Sequence, residues 1–193
     1  MSSHGFRERI LEINVAGSAL ASSTAQTSIM PSAHLTAALP VGYYDRGPRA
    51  IHFEFNGIIS TLVTTPGTLQ LGFRFNSTDV FLSGLMTLNI VAKTNVGWTF
   101  AGKLLARSAN LGGSTSTQLF PLGCYFESEA VIGAAAPTAG GIGRHSLPYN
   151  TQPALGSGFD NGLALGINLM GQWSVLSASN SIQVLGGHVD INN

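Results

Sequence analysis

The stretch from Ile51 to Phe75, IHFEFNGIISTLVTTPGTLQLGFRF, decides the fold class. Ile51, Phe53 and Phe55 are apolar and alternate with His52, Glu54 and Asn56; after Thr-Thr-Pro-Gly, Leu69, Leu71, Phe73 and Phe75 alternate with Gln70, Gly72, Arg74 and Asn76. A period of two puts every second side chain on one face of a strand, so one face is apolar and the other wet. Burying each Phe or Leu contributes roughly 1.5–3 kcal/mol, enough to hold that face inward. Pro66-Gly67 is turn chemistry, and the expectation is two antiparallel strands joined as a hairpin.

Working outward, the same alternation returns in Gly97 to Arg107, with Trp98, Phe100, Gly102, Leu104 and Ala106 on one face and Lys103 and Arg107 on the other. It returns again in Leu163 to Met170, and shorter apolar runs lie at Val80 to Leu82, Met86 to Val91, Gln118 to Val131, Trp173 to Leu176 and Ile182 to Ile191. No helical period persists. The chain therefore reads as all-β, a two-sheet antiparallel sandwich of jelly-roll type, although periodicity alone does not separate a jelly roll from an immunoglobulin-like topology. Trp98 imitates a buried sandwich tryptophan without the flanking cysteines of antibody domains. Residues 1–22 read as an N-terminal arm, with Ile10, Leu11, Ile13 and Val15 able to supply one strand, and residues 23–193 as the sandwich domain. Residues 133–162, with seven glycines and three prolines, form a long loop with no strand pattern. Connections of that length are commonly functional, and the expectation is that arm and loop are held in place by other copies or by a shell.

Only 9% of the 193 residues are charged, against roughly 25% in ordinary soluble domains. Nine basic and nine acidic residues cancel, so no electrostatic footprint for nucleic acid or an anionic membrane is present. Such a chain risks self-association unless partners cover much of its surface. Cys124 is the single cysteine, which excludes an intramolecular disulfide and a CxxC metal site and reads as a small buried hydrophobe. Arg7, Glu8, Arg9 and Glu12 fall where a signal peptide would need an apolar run, and no stretch of about 18 apolar residues occurs, so neither a secretory leader nor a membrane span is expected.

Candidates for chemistry are few. His4, His34, His52, His145 and His188 show no metal-binding spacing, and His52 and His188 read as solvent-face strand residues. A Ser-His-Asp triad has no Gly-x-Ser-x-Gly to support it. Glu127 and Glu129, two apart, read as a wet strand face or an inter-subunit ion pair rather than a glycosidase pair. Gly140-Gly141-Ile142-Gly143-Arg144 lacks the Gly-Lys-Ser/Thr ending of a phosphate loop, Asn76-Ser77-Thr78 reads as a turn, and Trp98 faces away from Lys103 and Arg107, which dissolves a nucleic-acid stripe. The expectation is a protein that is not an enzyme and has no cofactor.

Between Ile51 and Arg107 the order Gly57 to Thr61 (GIIST), Thr65 to Arg74 (TPGTLQLGFR) and Lys93 to Ser108 (KTNVGWTFAGKLLARS) resembles the single jelly-roll structural proteins of tailed bacteriophages, found as capsid decoration (cement) proteins, head fibres and related virion components. The resemblance covers about a third of the chain. It implies a homotrimer on the outer capsid surface of the virion, bridging neighbouring copies of the major capsid protein, assembled in the host cytoplasm. Arg and aromatic side chains dominate binding hot spots, which singles out Phe6, Arg7, Arg9 and Ile10 in the arm, and Arg144, His145 and Tyr149 in the loop, as capsid or subunit contacts. The alternative is a receptor-binding or fibre-tip protein recognising host glycan, with Tyr43, Tyr44 and Tyr149 as aromatic platforms.

Overall fold

The computed structural model describes residues 7–46, 49–62, 65–108, 117–131 and 143–192. The strands are β1 (Arg7–Ile13), β2 (Leu20–Ala21), β3 (Thr27–Ser28), β4 (Ala38–Leu39), β5 (Ala50–Thr61), β6 (Thr68–Phe75), β7 (Thr78–Leu82), β8 (Met86–Thr87), β9 (Lys93–Ser108), β10 (Gln118–Ser128), β11 (Gly143–Ser146), β12 (Leu165–Trp173) and β13 (Ser181–Asn192), with 3-10 turns at Ser32–His34 and Tyr43–Arg46. They form two antiparallel sheets. The larger runs β1-β13-β5-β9-β10-β11, with β2 also on β13; the smaller runs β3-β12-β6-β7, with β4 on β12 and β8 on β6. The paths β1-β13-β5-β9 and β3-β12-β6-β7 are consistent with a jelly roll to which β10 and β11 add two further strands.

The expected hairpin between Ile51 and Phe75 is not formed. β5 pairs with β13 and β9, while β6 pairs with β12, β7 and β8. The segment containing Pro66 and Gly67 carries the chain from one sheet to the other. The alternation specifies which side chains are buried, and it is satisfied just as well by two strands facing each other as by two strands lying side by side. Here Phe53 of β5 and Phe73 of β6 meet across the core with ring centroids 5.1 Å apart, and Phe100 of β9 lies 4.9 Å from Phe53. On β9 the expected parity holds: Trp98, Phe100, Leu104 and Ala106 are buried. The Trp98 indole N–H donates to the Ile58 carbonyl at 3.1 Å, which satisfies its polar end.

The segment set apart as an arm belongs, from Arg7 onward, to the sandwich. β1 pairs with β13 from Arg7↔Asn192 to Ile13↔Gly187, with a bulge between Arg9 and Leu11. The buried Leu11 and Ile13 side chains supply the reason, because they extend the core beneath the sheet edge. The long loop is likewise tied down by its own chain. Residues 143–146 form β11 against β10, and the backbone bonds Leu147 N–H to Cys124 O (2.9 Å), Tyr149 N–H to Ser83 O (2.7 Å) and Gly156 N–H to Leu119 O (2.8 Å) fasten residues 147–156 to both sheets. Two glycines permit this approach. A Cβ on Gly84, whose φ is +74°, would lie 2.3 Å from the Tyr149 carbonyl oxygen, and one on Gly156 would lie 2.0 Å from that of Val80.

Candidate contact surfaces

Of the seven contact residues expected from sequence, Phe6 lies outside the described residues. Arg7 and Arg9 project from the outer face of β1 and converge on Asp190 of β13. The Arg9 Nε–H donates to Asp190 Oδ1 at 3.0 Å, Arg7 Nε stands 3.5 Å from Oδ2, and the other arm of Arg9 reaches Glu12 at 2.6 Å. Burial alone would push the Asp190 carboxyl up, but the Arg9 hydrogen bond and the charges of Arg9, His188 and Arg7 outweigh it and hold the group below its ordinary range. His52 on the neighbouring strand is lowered by burial first, and then by the positive charges of Arg7 and Lys103.

Ile10, by contrast, packs partly buried against the core at the bulge. Arg144 is exposed on β11, its guanidinium 3.9 Å above the Tyr125 ring and 3.9 Å from Glu127. His145 points the opposite way; it is only 4% exposed and its ring lies 4.4 Å from that of Tyr149, which itself packs on the core. Ile10, His145 and Tyr149 are therefore chiefly packing residues, a consequence of their places on the inner side of the sheet and loop. Arg7 and Arg9 stand on one edge of the larger sheet and Arg144 on the other, five strand spacings apart, which is about 24 Å. They share a face but not a site.

Tyr43 and Tyr44 are also inside, so neither offers a platform for a sugar. The Tyr43 hydroxyl donates to the carbonyl of Asn192 (3.1 Å), with that of Ala50 also within reach of the same proton (3.3 Å), and its ring meets Tyr44 edge-on at 4.8 Å. Burial pushes both phenols up. Cys124 is buried as expected and its thiol is pushed up to about 11, first by desolvation. Glu127 and Glu129 are engaged within the chain, the latter with Lys93 at 3.3 Å. Among the described residues no group of three or more His, Cys, Asp or Glu is placed to hold a metal ion, and no helix is long and apolar enough to cross a membrane.

What the sandwich presents instead is two faces and one loop end of different character. The outward positions of the smaller sheet are mostly amide and hydroxyl, with Gln70, Asn168 and Gln172, and one charged cluster in which Arg74 meets Asp79 at 2.8 Å and also reaches Gln26. The outward positions of the larger sheet are ordered by charge along the strands. Toward the end where β1 begins lie Arg7, Arg9, Lys103 and Arg107, above the buried Asp190; toward the other end lie Glu12, Glu54 and Glu127, with Glu129 and its partner Lys93 at the rim and Arg144 beside Glu127 on the edge strand β11. There a shallow cleft of about 390 Å³ opens over Gly97, bordered by Asn56, Thr99, Glu127, Glu129 and Leu185. At that same end of the sandwich, the loops around residues 62, 90 and 176 meet. Asn180 joins two of them by accepting from Leu62 N–H (2.8 Å) and donating to Pro66 O (3.0 Å). Ile90, Val91 and Leu176 project from these loops with 60%, 59% and 69% of their surface exposed.

No protein-family model matches the chain, and no curated protein matches it.

Proposed function

We propose that the protein is a non-enzymatic virion component, a capsid decoration protein that seats on the outer shell and bridges neighbouring copies of the major capsid protein. The observation that carries this reading is the loop end bearing Ile90, Val91 and Leu176. Ile90, Val91 and Leu176 are exposed aliphatic side chains on loops that meet at one end of the sandwich, where Asn180 ties the loop of Leu176 to that of Leu62, and exposed apolar surface of this kind marks interaction sites. The strand order agrees with the jelly-roll architecture that the resemblance implies, and a cement protein needs only area and multivalency: each copy adds contact energy across a joint, and many copies resist the pressure of packaged DNA. Reactive chemistry is not required for that role.

Two measurements test it. An antibody against the purified protein is expected to label the outside of intact heads of the virus that encodes it; a purified virion without the protein ends the proposal. Placing Asp at both Val91 and Leu176 is expected to reduce occupancy on decoration-free shells by about tenfold or more, since the apolar anchors then carry charge into the contact, with the thermal midpoint of the free protein unchanged within a few degrees. Undiminished occupancy would assign shell binding to another surface.

A further inference from the structure

We propose that the outer face of the larger sheet is a contact between two copies of this chain, related by a two-fold axis that lies in the plane of the contact and runs across the strands. This does not depend on the capsid reading. Such an axis reverses the strand direction, so the basic half of one copy lies on the acidic half of the other, and the same patch serves both subunits. A face of uniform sign could not pair with itself.

The centre of the face supplies the second argument. Glu54 of β5 and Lys103 of β9 occupy the two central strands one register step apart, since His52 pairs with Lys103 and Glu54 with Ala101. Among the described residues neither makes an ion pair, whereas Arg7, Arg9, Arg74, Lys93 and Arg144 all do. The proposed axis passes between those two registers. Seen in projection it brings Lys103 of one copy to one strand spacing, about 4.8 Å sideways, from the second copy's Glu54 on the facing sheet, so that the two side chains meet across the gap, sets Arg9 opposite Glu12, and turns Arg107 toward the acidic end. Leu122, 48% exposed beside Lys103, adds apolar surface. The face shared about that axis spans the five strands from β1 to β10, about 19 Å across, and some seven residues at about 3.3 Å, about 23 Å along, which places the contact at the small, weak end of specific interfaces.

Sedimentation velocity on the full chain tests the pairing. The wild-type protein is expected to be a dimer at low salt and to dissociate as salt rises from about 0.01 M to about 1 M, over which the screening length falls from about 30 Å to about 3 Å. Lys103→Glu and Glu54→Lys each set like charges together twice per dimer and are expected to weaken association about tenfold or more, and the combined swap to restore it to within about threefold of wild type. Glu54→Gln, which removes attraction without adding repulsion, should weaken it about threefold and serves if a reversal disturbs folding. A monomer at every concentration, a trimer indifferent to these substitutions, or a double variant as weak as the singles overturns the proposal.

Discussion

Phe73 lies at the crossing point of the core, its ring centroid 5.1 Å from Phe53, 6.3 Å from Phe55 and 5.8 Å from Phe75. Truncation to Ala would leave a void lined by aromatics on both sheets, and Phe73→Ala is expected to cost about 3–5 kcal/mol in urea unfolding, more than any single surface change. Gly84 tests a different physics. Its left-handed backbone alone makes Ala cost about 1–2 kcal/mol, and the added methyl would strike the Tyr149 carbonyl; Gly84→Ala should therefore raise amide exchange at Tyr149 and Leu147 before it affects β5 or β9. At this scale the sequence was legible wherever apolar residues alternate with polar ones, as at Trp98, Phe100 and Leu104. It was not legible at His145, because the inward positions of β11 are Gly143 and His145, neither of which announces a buried face. Ile10 eluded parity for another reason, since the bulge between Arg9 and Leu11 breaks the count. Tyr43 and Tyr44 were read as aromatic platforms for a glycan, yet the turn they form folds back beneath β5 and β13.

At the scale of elements, β1 is an edge strand held by electrostatics on its outer side and by Leu11 and Ile13 on its inner side. The charges and the bulge also guard that edge against unwanted pairing. Acid should loosen it in two stages. Asp190 titrates lower in the folded protein than in the unfolded chain, so its contribution is complete above about pH 4 and is lost as pH falls through the folded value. His52 is also lowered in the folded state; the neutral form is favoured there, and the stability this contributes above about pH 6.5 is lost as pH falls below it. Corrected for the intrinsic pH dependence of exchange, the protection of the amides of residues 8–13 should therefore fall modestly as pH drops below about 6.5, and again as it drops below about 4, with Asp190→Asn abolishing the lower step. An unchanged lower step in that variant would show that Asp190 does not latch the strand. The elements themselves were readable from period two, but their partners were not. β5 and β6 carry the clearest alternation in the chain and lie in different sheets, because alternation records the environment of each face and contains nothing about which neighbour shares the ladder.

For the whole molecule, the distribution of charge matters more than its total. Eighteen charged residues in 193 leave most of the surface neutral, and what charge exists is gathered largely on one sheet face, where, apart from Arg144 on the edge strand, the two signs separate along the strands. Composition raised the expectation of partners without locating a surface for them; only the register places Lys103 next to Glu54 at the middle of that face. The loop of residues 133–162 shows the converse. Its composition suggested support from outside, whereas its bonds to Cys124, Ser83 and Leu119 are internal, so the described part of the loop should stay protected from protease in the isolated protein.

The position of β13 bears on how the chain is made. It lies between β1 and β5, pairing with both along most of its length. During synthesis, the strand that fills that gap leaves the ribosome after the other twelve described strands, and until it does β1 has no strand partner among the described residues and β5 shows an open ladder beside an aromatic interior. Folding of the larger sheet is thus postponed until β13 has emerged, when closure joins residues 181 positions apart, as Arg9 and Asp190 are, a slow kind of nucleus by the entropy of the loop it must close. A chain stopped before residue 181 should accumulate as aggregate, and the nascent protein is a natural client for a chaperone that shields unpaired strands.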